Sequence, residues 1–277
     1  MKYVFLNNKF VAEQDAAVSI QDRGFRFGDG IFETIKIHNS RAKDFPLHLL
    51  RLEEGLQELK ISFDTSSLLD KVEQLIKKNK QAEGFLRIII TRGVGSRGYM
   101  PKDDITPTIV IETINTPNMK QQTSSLIVSP YKKIPLTCLP VNYKIMQGLN
   151  SSLAKITAKD QGFSDALLTN AKNEICETSS ANIFLIRKGK IYTPNLESGV
   201  LRGVIREKII NNFKANEEKI KLRQLKKFDL IFITNVALEA KEITLIVNQQ
   251  TKAIWQSCPK VESVKIFKEI KEFLQKA

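Results

Sequence analysis

The sequence predicts an α+β fold, mixed α/β in character, arranged as two domains. Three observations carry that expectation. The 277 residues exceed one ordinary hydrophobic core. Strand alternation and helical spacing recur in both halves of the chain. A polar, Pro-containing stretch with neither periodicity separates them. We take residues 116–123 as the linker between a smaller N-terminal domain over 1–115 and a larger one over 124–277.

YVFLNNKFV reads as a strand and tight turn, with NNK supplying the turn residues. In RFGDGIFETIKIHN a Gly-Asp-Gly bend precedes alternating Ile31, Glu33, Ile35 and Ile37, a strand rich in β-branched residues. PLHLLRLEEGLQELKI has helical spacing, with Leu47, Leu50, Leu56 and Leu59 on its apolar side. SSLLDKVEQLIKKN is a second helix, opened by a Ser cap with Asp in its first turn. FLRIIITRG and TPTIVIETIN are apolar strands.

Beyond the linker, SLIVSP is a strand and LNSSLAKITAKDQG a helix ending at Gly162. SDALLTN, EICE and ANIFLIRKGKIYTP are strands joined by short turns. VLRGVIREKIINNF is a helix, DLIFITNV and EITLIVNQ are strands, and VESVKIFKEIKEFLQKA closes the chain as an amphipathic helix.

Composition excludes several classes of function. At 42% hydrophobic and 26% charged residues, the chain is that of a soluble globular protein. No apolar run is long enough to span a membrane, and MKYVFLNNKFVAEQD reads as a strand rather than a signal peptide. The net charge of +13 would suit nucleic acid. The basic residues are scattered, however, and KKNK, YKKIP and LKKF fall at helix ends and loops without aromatic interleaving. A solvated basic surface is the expectation, with no nucleic-acid partner. Cys138, Cys176 and Cys258 are odd in number and far apart, which suits a reducing cytoplasm without disulfides. With His38 and His48 as the only histidines, no metal site and no histidine-based triad is expected.

The chemistry is thereby left to lysine, arginine, carboxylates, tyrosine and backbone. In VNYKIMQGLNSSLAK, Lys144 stands among largely uncharged residues, where a desolvated amine becomes a nucleophile toward a carbonyl. Alone, it reads more readily as a snorkelling lysine beside a strand end. In ALLTNAKNEICETSSANIF, Glu177 ends an apolar strand and is followed by hydroxyl and amide residues. A carboxylate there can accept a proton from a ring nitrogen, or simply edge a polar turn. In SGVLRGVIRE, Gly203 permits close approach, and the amides of Val204 and Ile205 open a helix, either an anion site or an ordinary cap. Arg51 offers a forked partner for the same anion. In TRGVGSRGYMP, Arg97 and Tyr99 stand on a glycine-rich loop, able to bind a carboxylate or to edge a surface turn.

Taken in order, these segments resemble the fold type IV pyridoxal-phosphate enzymes, or class IV aminotransferases. The resemblance runs from DRGFRFGDGIFETIKI through HLLRLEEGL, RIIITRGVGSRGY, YKIMQGLNSSLAK, SDALLTNAKNEICETSSANIF and GVLRGVIRE to FITN, nearly the whole chain. It implies pyridoxal 5'-phosphate as cofactor and Lys144, in the larger domain, as the lysine that forms the Schiff base. Glu177 is the implied partner of the pyridine nitrogen and Arg51 of the phosphate. Gly203, Val204 and Ile205 complete the phosphate cup, with Ser180 and Asn235 as further cofactor-binding residues. Phe32, Arg97 and Tyr99 would meet the substrate. The family also implies a homodimer, an anionic amine substrate, and a site between the two domains.

Within the family, Ile205 where aminotransferases generally carry Thr, the Thr-Asn pair of FITN and the RGxGxRGY loop favour 4-amino-4-deoxychorismate lyase. That enzyme releases 4-aminobenzoate and pyruvate on the route to folate. The alternative expectation is an aminotransferase for D- or branched-chain amino acids. Gln147, where relatives usually carry Asn, and the missing Pro after FITN depart from both. A basic binding protein on a retired scaffold is disfavoured by Lys144, Glu177 and Arg51 standing together.

Overall fold

A computed structural model describes residues 1–95, 97–116 and 124–276. The chain divides into two compact units, Met1–Asn118 with Tyr143–Gln147, and Met119–Asn142 with Gly148–Ala277. All but residue 116 of the expected linker lies outside the described residues.

The first unit comprises β1 (Tyr3–Leu6), β2 (Lys9–Ala12), α1 (Arg23–Phe27), β3 (Gly30–His38), β4 (Arg41–Ala42), α2 (Phe45–Glu58), α3 (Leu68–Lys78), β5 (Gly84–Thr91) and β6 (Thr108–Ile114). Its antiparallel sheet has the order β2-β1-β6-β5-β3-β4. Alternation in β3 buries Ile31, Glu33, Ile35 and Ile37 on one face, as the sequence predicts. The three isoleucines pack with Leu52 and Leu56 of α2, Val72, Leu75 and Ile76 of α3, and Leu86, Ile88 and Ile90 of β5.

Two local expectations for these helices are corrected. The buried stripe of α2 is Phe45, His48, Arg51, Leu52, Gly55 and Leu56, whereas Leu47 and Leu50 are exposed. The core reserves helix positions for His48 and Arg51 because Glu33 needs them. Ser67 does occupy the N-cap of α3, but its side chain makes no capping hydrogen bond.

The second unit comprises β7 (Ser125–Val128), α4 (Leu149–Asp160), β8 (Asp165–Thr169), β9 (Ile175–Thr178), β10 (Asn182–Arg187), β11 (Lys190–Pro194), α5 (Val204–Phe213), β12 (Asn216–Glu218), β13 (Leu230–Thr234), β14 (Lys241–Ile243), β15 (Leu245–Val247), β16 (Ala253–Gln256) and α6 (Val261–Lys276). The sheet runs β12-β11-β10-β9-β8-β7-β15-β16, and β13 branches from β10 to reach β14. The segment EITLIVNQ, expected as one strand, is two. Thr244 interrupts it, its amide bonding to Ser124 O, and the chain passes from pairing with β13 to pairing with β7. The parallel trio β8-β7-β15 carries α4, whose Ala154 and Ala158 pack with Ile127, Ala166 and Leu168. Inside the mainly antiparallel part, Phe184 and Phe232 stack at 5.1 Å between centroids. Among the described residues, no helix is long and apolar enough to cross a membrane.

Candidate active site

The segment carrying Lys144 groups with the first unit, not with the second as the sequence suggests, and hydrogen bonds to β3 account for it. The Phe32 amide donates to Lys144 O at 2.9 Å and the Met146 amide to Gly30 O at 3.0 Å, with a bridge between Ile31 and Ile145. Extended backbone sends alternate side chains to opposite sides. Ile145 is therefore buried, while Lys144 turns the other way and sets its Nζ 4.3 Å from the centre of the Phe32 ring. The sequence-predicted pair Lys144 and Phe32 is thus brought together, with an aromatic face limiting water on one side of the amine.

Gln147 also acquires a role. Its Nε2 donates to Phe27 O at 3.3 Å, tying the segment after the lysine to the end of α1. Its side chain fills the space beside Gly28, where an added Cβ would come within 3.3 Å of Gln147 Cγ. Gly28 is also in the left-handed region, at φ 64°, where glycine has no steric penalty. Gln147 Oε1 is buried without a hydrogen-bond partner.

Arg51 faces a carboxylate of its own chain. Its Nε and Nη2 donate to Glu33 Oε1 and Oε2, both at 2.7 Å, and His48 Nδ1 lies 2.8 Å from Oε2. Glu33 takes the Nε and Nη2 edge of the guanidinium. Burial raises the Glu33 carboxyl, but the Arg51 charge, aided by hydrogen bonds from His48 and Arg51, outweighs it and holds the group at about 2.

The loop bearing Arg97 and Tyr99 is held by a residue that sequence reasoning missed. Arg23, buried in α1, donates to Gly98 O at 2.9 Å and Tyr99 O at 2.7 Å, while its Nε reaches Asp29 Oδ2 at 2.8 Å. Arg92 grips the same carboxylate at 2.8 and 3.0 Å. Burial raises the Asp29 carboxyl, but the hydrogen bonds and charges of Arg92 and Arg23 outweigh it, so the group lies below its ordinary value. Arg97 and Tyr99 themselves are exposed, Tyr99 to 87%, with its ring 5.6 Å from that of Phe27. They stand where a dissolved anion can reach them.

In the second unit, Glu177 is buried at the point where β9 pairs with β10. Its Oε2 accepts from Asn182 Nδ2 at 3.1 Å and from the Leu201 amide at 3.0 Å, and its Oε1 accepts from Lys133 Nζ. Asn182 is one of the amide residues that the sequence places after Glu177 for hydrogen bonding, whereas Lys133 is a residue that the sequence does not single out. Lys133 sits in a lysine cluster that reads as surface, and nothing local marks a partner 44 residues away.

The polar residues after Glu177 mainly serve the turn. The Ser179 and Ser180 hydroxyls both donate to Asp165, Ser180 at 3.2 Å. Asn235 donates to Ser180 O at 3.1 Å and accepts from the amides of Ala237 and Leu238. Both side chains expected at the cofactor therefore have partners in the chain. Thr234 Oγ1, next to Asn235, is buried without a partner. Burial, with the charge of neighbouring Glu177 behind it, pushes the Cys176 thiol up to about 12, so that thiol is no nucleophile.

Helix α5 begins at Val204 with Gly203 as N-cap and no side-chain cap bond. The amides of its first turn have no carbonyl one turn earlier to bind, and together with the helix dipole they favour an anion. The glycine is required by proximity. Its φ of −69° suits any residue, but an added Cβ would stand 2.1 Å from Asn182 Oδ1. Asn182 also donates to Leu201 O at 3.0 Å, so one amide side chain links the Glu177 carboxylate to the start of the helix.

The first unit thus contains an amine under an aromatic ring and a buried arginine. The second contains a held carboxylate and a helix N-terminus without a side-chain cap bond. Comparisons with known proteins agree in one direction. Residues 30–246 match the family model described as amino-transferase class IV. A putative branched-chain-amino-acid aminotransferase of Methanocaldococcus jannaschii is 32% identical over 85% of each chain. A D-alanine aminotransferase of Bacillus licheniformis is 28% identical over 90% of this chain and 89% of the relative. The crystal structure of 4-amino-4-deoxychorismate lyase from Pseudomonas aeruginosa superposes with a TM-score of 0.84 at 21% identity, covering 99% of this chain and 98% of that one, a likeness of fold. With a family match spanning most of the chain and a relative above 30% identity, this protein belongs to amino-transferase class IV, whose members are fold type IV enzymes that use pyridoxal phosphate.

Proposed function

We infer that the chain transfers amino groups between amino acids and 2-oxo acids. The observation that carries this reading is the breadth of its likeness to aminotransferases, 28–32% identity over 85–90% of the chain. The residues present fit pyridoxal phosphate. The N-terminus of α5, with no side-chain cap bond, offers its first-turn amides to a phosphate, and Glu177, with donors on both oxygens, suits a protonated ring nitrogen. When bound, the cofactor supplies an aldehyde that captures amines and a ring that draws electrons from the bonds beside the captured nitrogen.

In this reading Lys144 would hold the cofactor, and its free amine would move the proton at the substrate carbon that bears the amino group. Phe32 limits water at Lys144. Arg51 and the Gly203, Val204 and Ile205 backbone hold the phosphate. Arg97 and Tyr99 receive the substrate carboxylate, on a loop fixed by Arg23. Ser180 and Asn235 serve the cofactor by shaping the turn around Glu177. The assembly in this reading is a homodimer, supported by the exposure of Ile20, Phe25, Tyr99 and Met100 in the first unit, and light scattering of the purified protein checks it.

A second reading, 4-amino-4-deoxychorismate lyase, is favoured by one side chain. Ile205, in the first turn of α5, offers the phosphate no hydroxyl, as in the lyase, and the lyase structure shares the fold. Lys144 would then take the ring proton beside the substrate nitrogen, and the gain of aromaticity would drive loss of pyruvate.

One assay panel separates the two. We expect a 2-oxo acid to appear from D- or L-amino acids only when an acceptor 2-oxo acid is added. Release of 4-aminobenzoate and pyruvate from aminodeoxychorismate without an acceptor would replace this reading with the second. Lys144→Ala should abolish either activity, and borohydride should tag the peptide containing Lys144 in the wild type. Normal turnover by Lys144→Ala would exclude both.

A further inference from the structure

Glu177 is held by three donors from three places in the second unit, and one of them carries a charge. Asn182 and the Leu201 amide share Oε2, while among the described residues Oε1 receives Lys133 Nζ alone. A carboxylate oxygen has two lone pairs, so Oε1 retains one for a further donor. Lys133 is not a loose surface lysine. Its amide is bound to Thr169 O at 3.0 Å, and its side chain is 11% exposed. An added Cβ at Gly199 would lie 3.4 Å from its Cγ, which places the lysine stem against that turn. The Glu177 side chain is 9% exposed, so the pair is largely shielded from water, where a lost partner leaves a costly uncompensated charge.

We propose that Lys133 is a positioning residue for the cofactor: by holding Oε1 and compensating the charge of Glu177, it keeps the carboxylate turned to accept the ring N–H of pyridoxal phosphate. The proposal rests on the assignment of Glu177 to the ring nitrogen made above. Lys133 itself touches no reacting atom. It acts through Glu177, so its effect exists only while Glu177 is a carboxylate.

A double-mutant cycle on cofactor affinity tests this. Apoprotein of the wild type, Lys133→Met, Glu177→Gln, Lys133→Met/Glu177→Gln and Lys133→Arg is titrated with pyridoxal phosphate, with binding read from the absorbance of the bound cofactor. Lys133→Met and Glu177→Gln should each weaken binding by about tenfold, the shift that 1.4 kcal/mol of lost interaction produces. The double variant should be no weaker than Glu177→Gln alone, and Lys133→Arg should recover most of the affinity. The double variant buries no unpaired charge, so it reports even where Lys133→Met alone fails to fold. Equal or tighter binding by Lys133→Met, or losses that add in the double variant, would overturn the role of Lys133. Unchanged affinity and spectrum in Glu177→Gln would instead overturn the assignment of Glu177, and the proposal with it.

Discussion

Glu33 occupies a position that strand alternation turns into an isoleucine core, and it remains a carboxylate there because α2 supplies Arg51 and His48. Its folded value, about 2, lies below the ordinary 4.5, so ionisation favours the folded state. Stabilisation from this group is complete above 4.5 and is lost as pH falls toward 2. Thermal melts across that window should therefore show a steeper loss for wild type than for Glu33→Gln, and equal slopes would rule the coupling out. Arg51→Met, which strands the buried carboxylate, should cost roughly 3–5 kcal/mol in addition to any loss of phosphate binding. At this scale, legibility depended on how a residue declares itself. The expectation for Lys144 rests on Glu177, Arg51 and the Gly203 turn standing at family spacing around it, and the structure adds the Phe32 ring at 4.3 Å. The pairing of Lys133 with Glu177 is not legible, because a lysine in a basic run looks the same whether it meets solvent or a carboxylate distant in sequence.

Elements were read best where one periodicity governed them. The alternation of β3 correctly put Glu33 on the buried face, although no propensity favours a glutamate there. Leucine spacing points to the wrong stripe of α2, because the core assigns two of its positions to His48 and Arg51. Polar residues with buried partners are invisible to a hydrophobic pattern. Helix α5 shows the opposite case, in which a single glycine marks the important end. Gly203→Ala should leave the helix intact, since its backbone is ordinary, but force Asn182 away from Glu177 and Leu201 O. Pyridoxal-phosphate affinity should fall about tenfold or more, a loss within the 1–3 kcal/mol typical of overpacking. Gly203→Ala/Asn182→Gly should relieve the clash, visible as recovered thermal stability, without recovering affinity. If it recovers both, Asn182 is a spectator.

At the scale of the molecule, two interleaved units replace the simple succession that the sequence suggested, because five residues after Asn142 return to β3. A linear reading places a boundary where composition shifts, and it has no view of a segment captured by the hydrogen bonds of another unit. The net charge of +13 also belongs to this scale. The basic residues are scattered, so their summed field decays over about one Debye length, roughly 10 Å at 0.1 M salt, and acts on approaching anions rather than on bound ones. Pyridoxal phosphate is such an anion. Its association rate with apoprotein should fall as sodium chloride is raised, while its dissociation rate, which the proposed site assigns to Lys144, Glu177 and the α5 amides, should stay nearly constant. Stopped-flow absorbance at several salt concentrations measures both rates. A dissociation rate that rises with salt while association stays flat would show that the excess charge acts in the site itself and not as a long-range field.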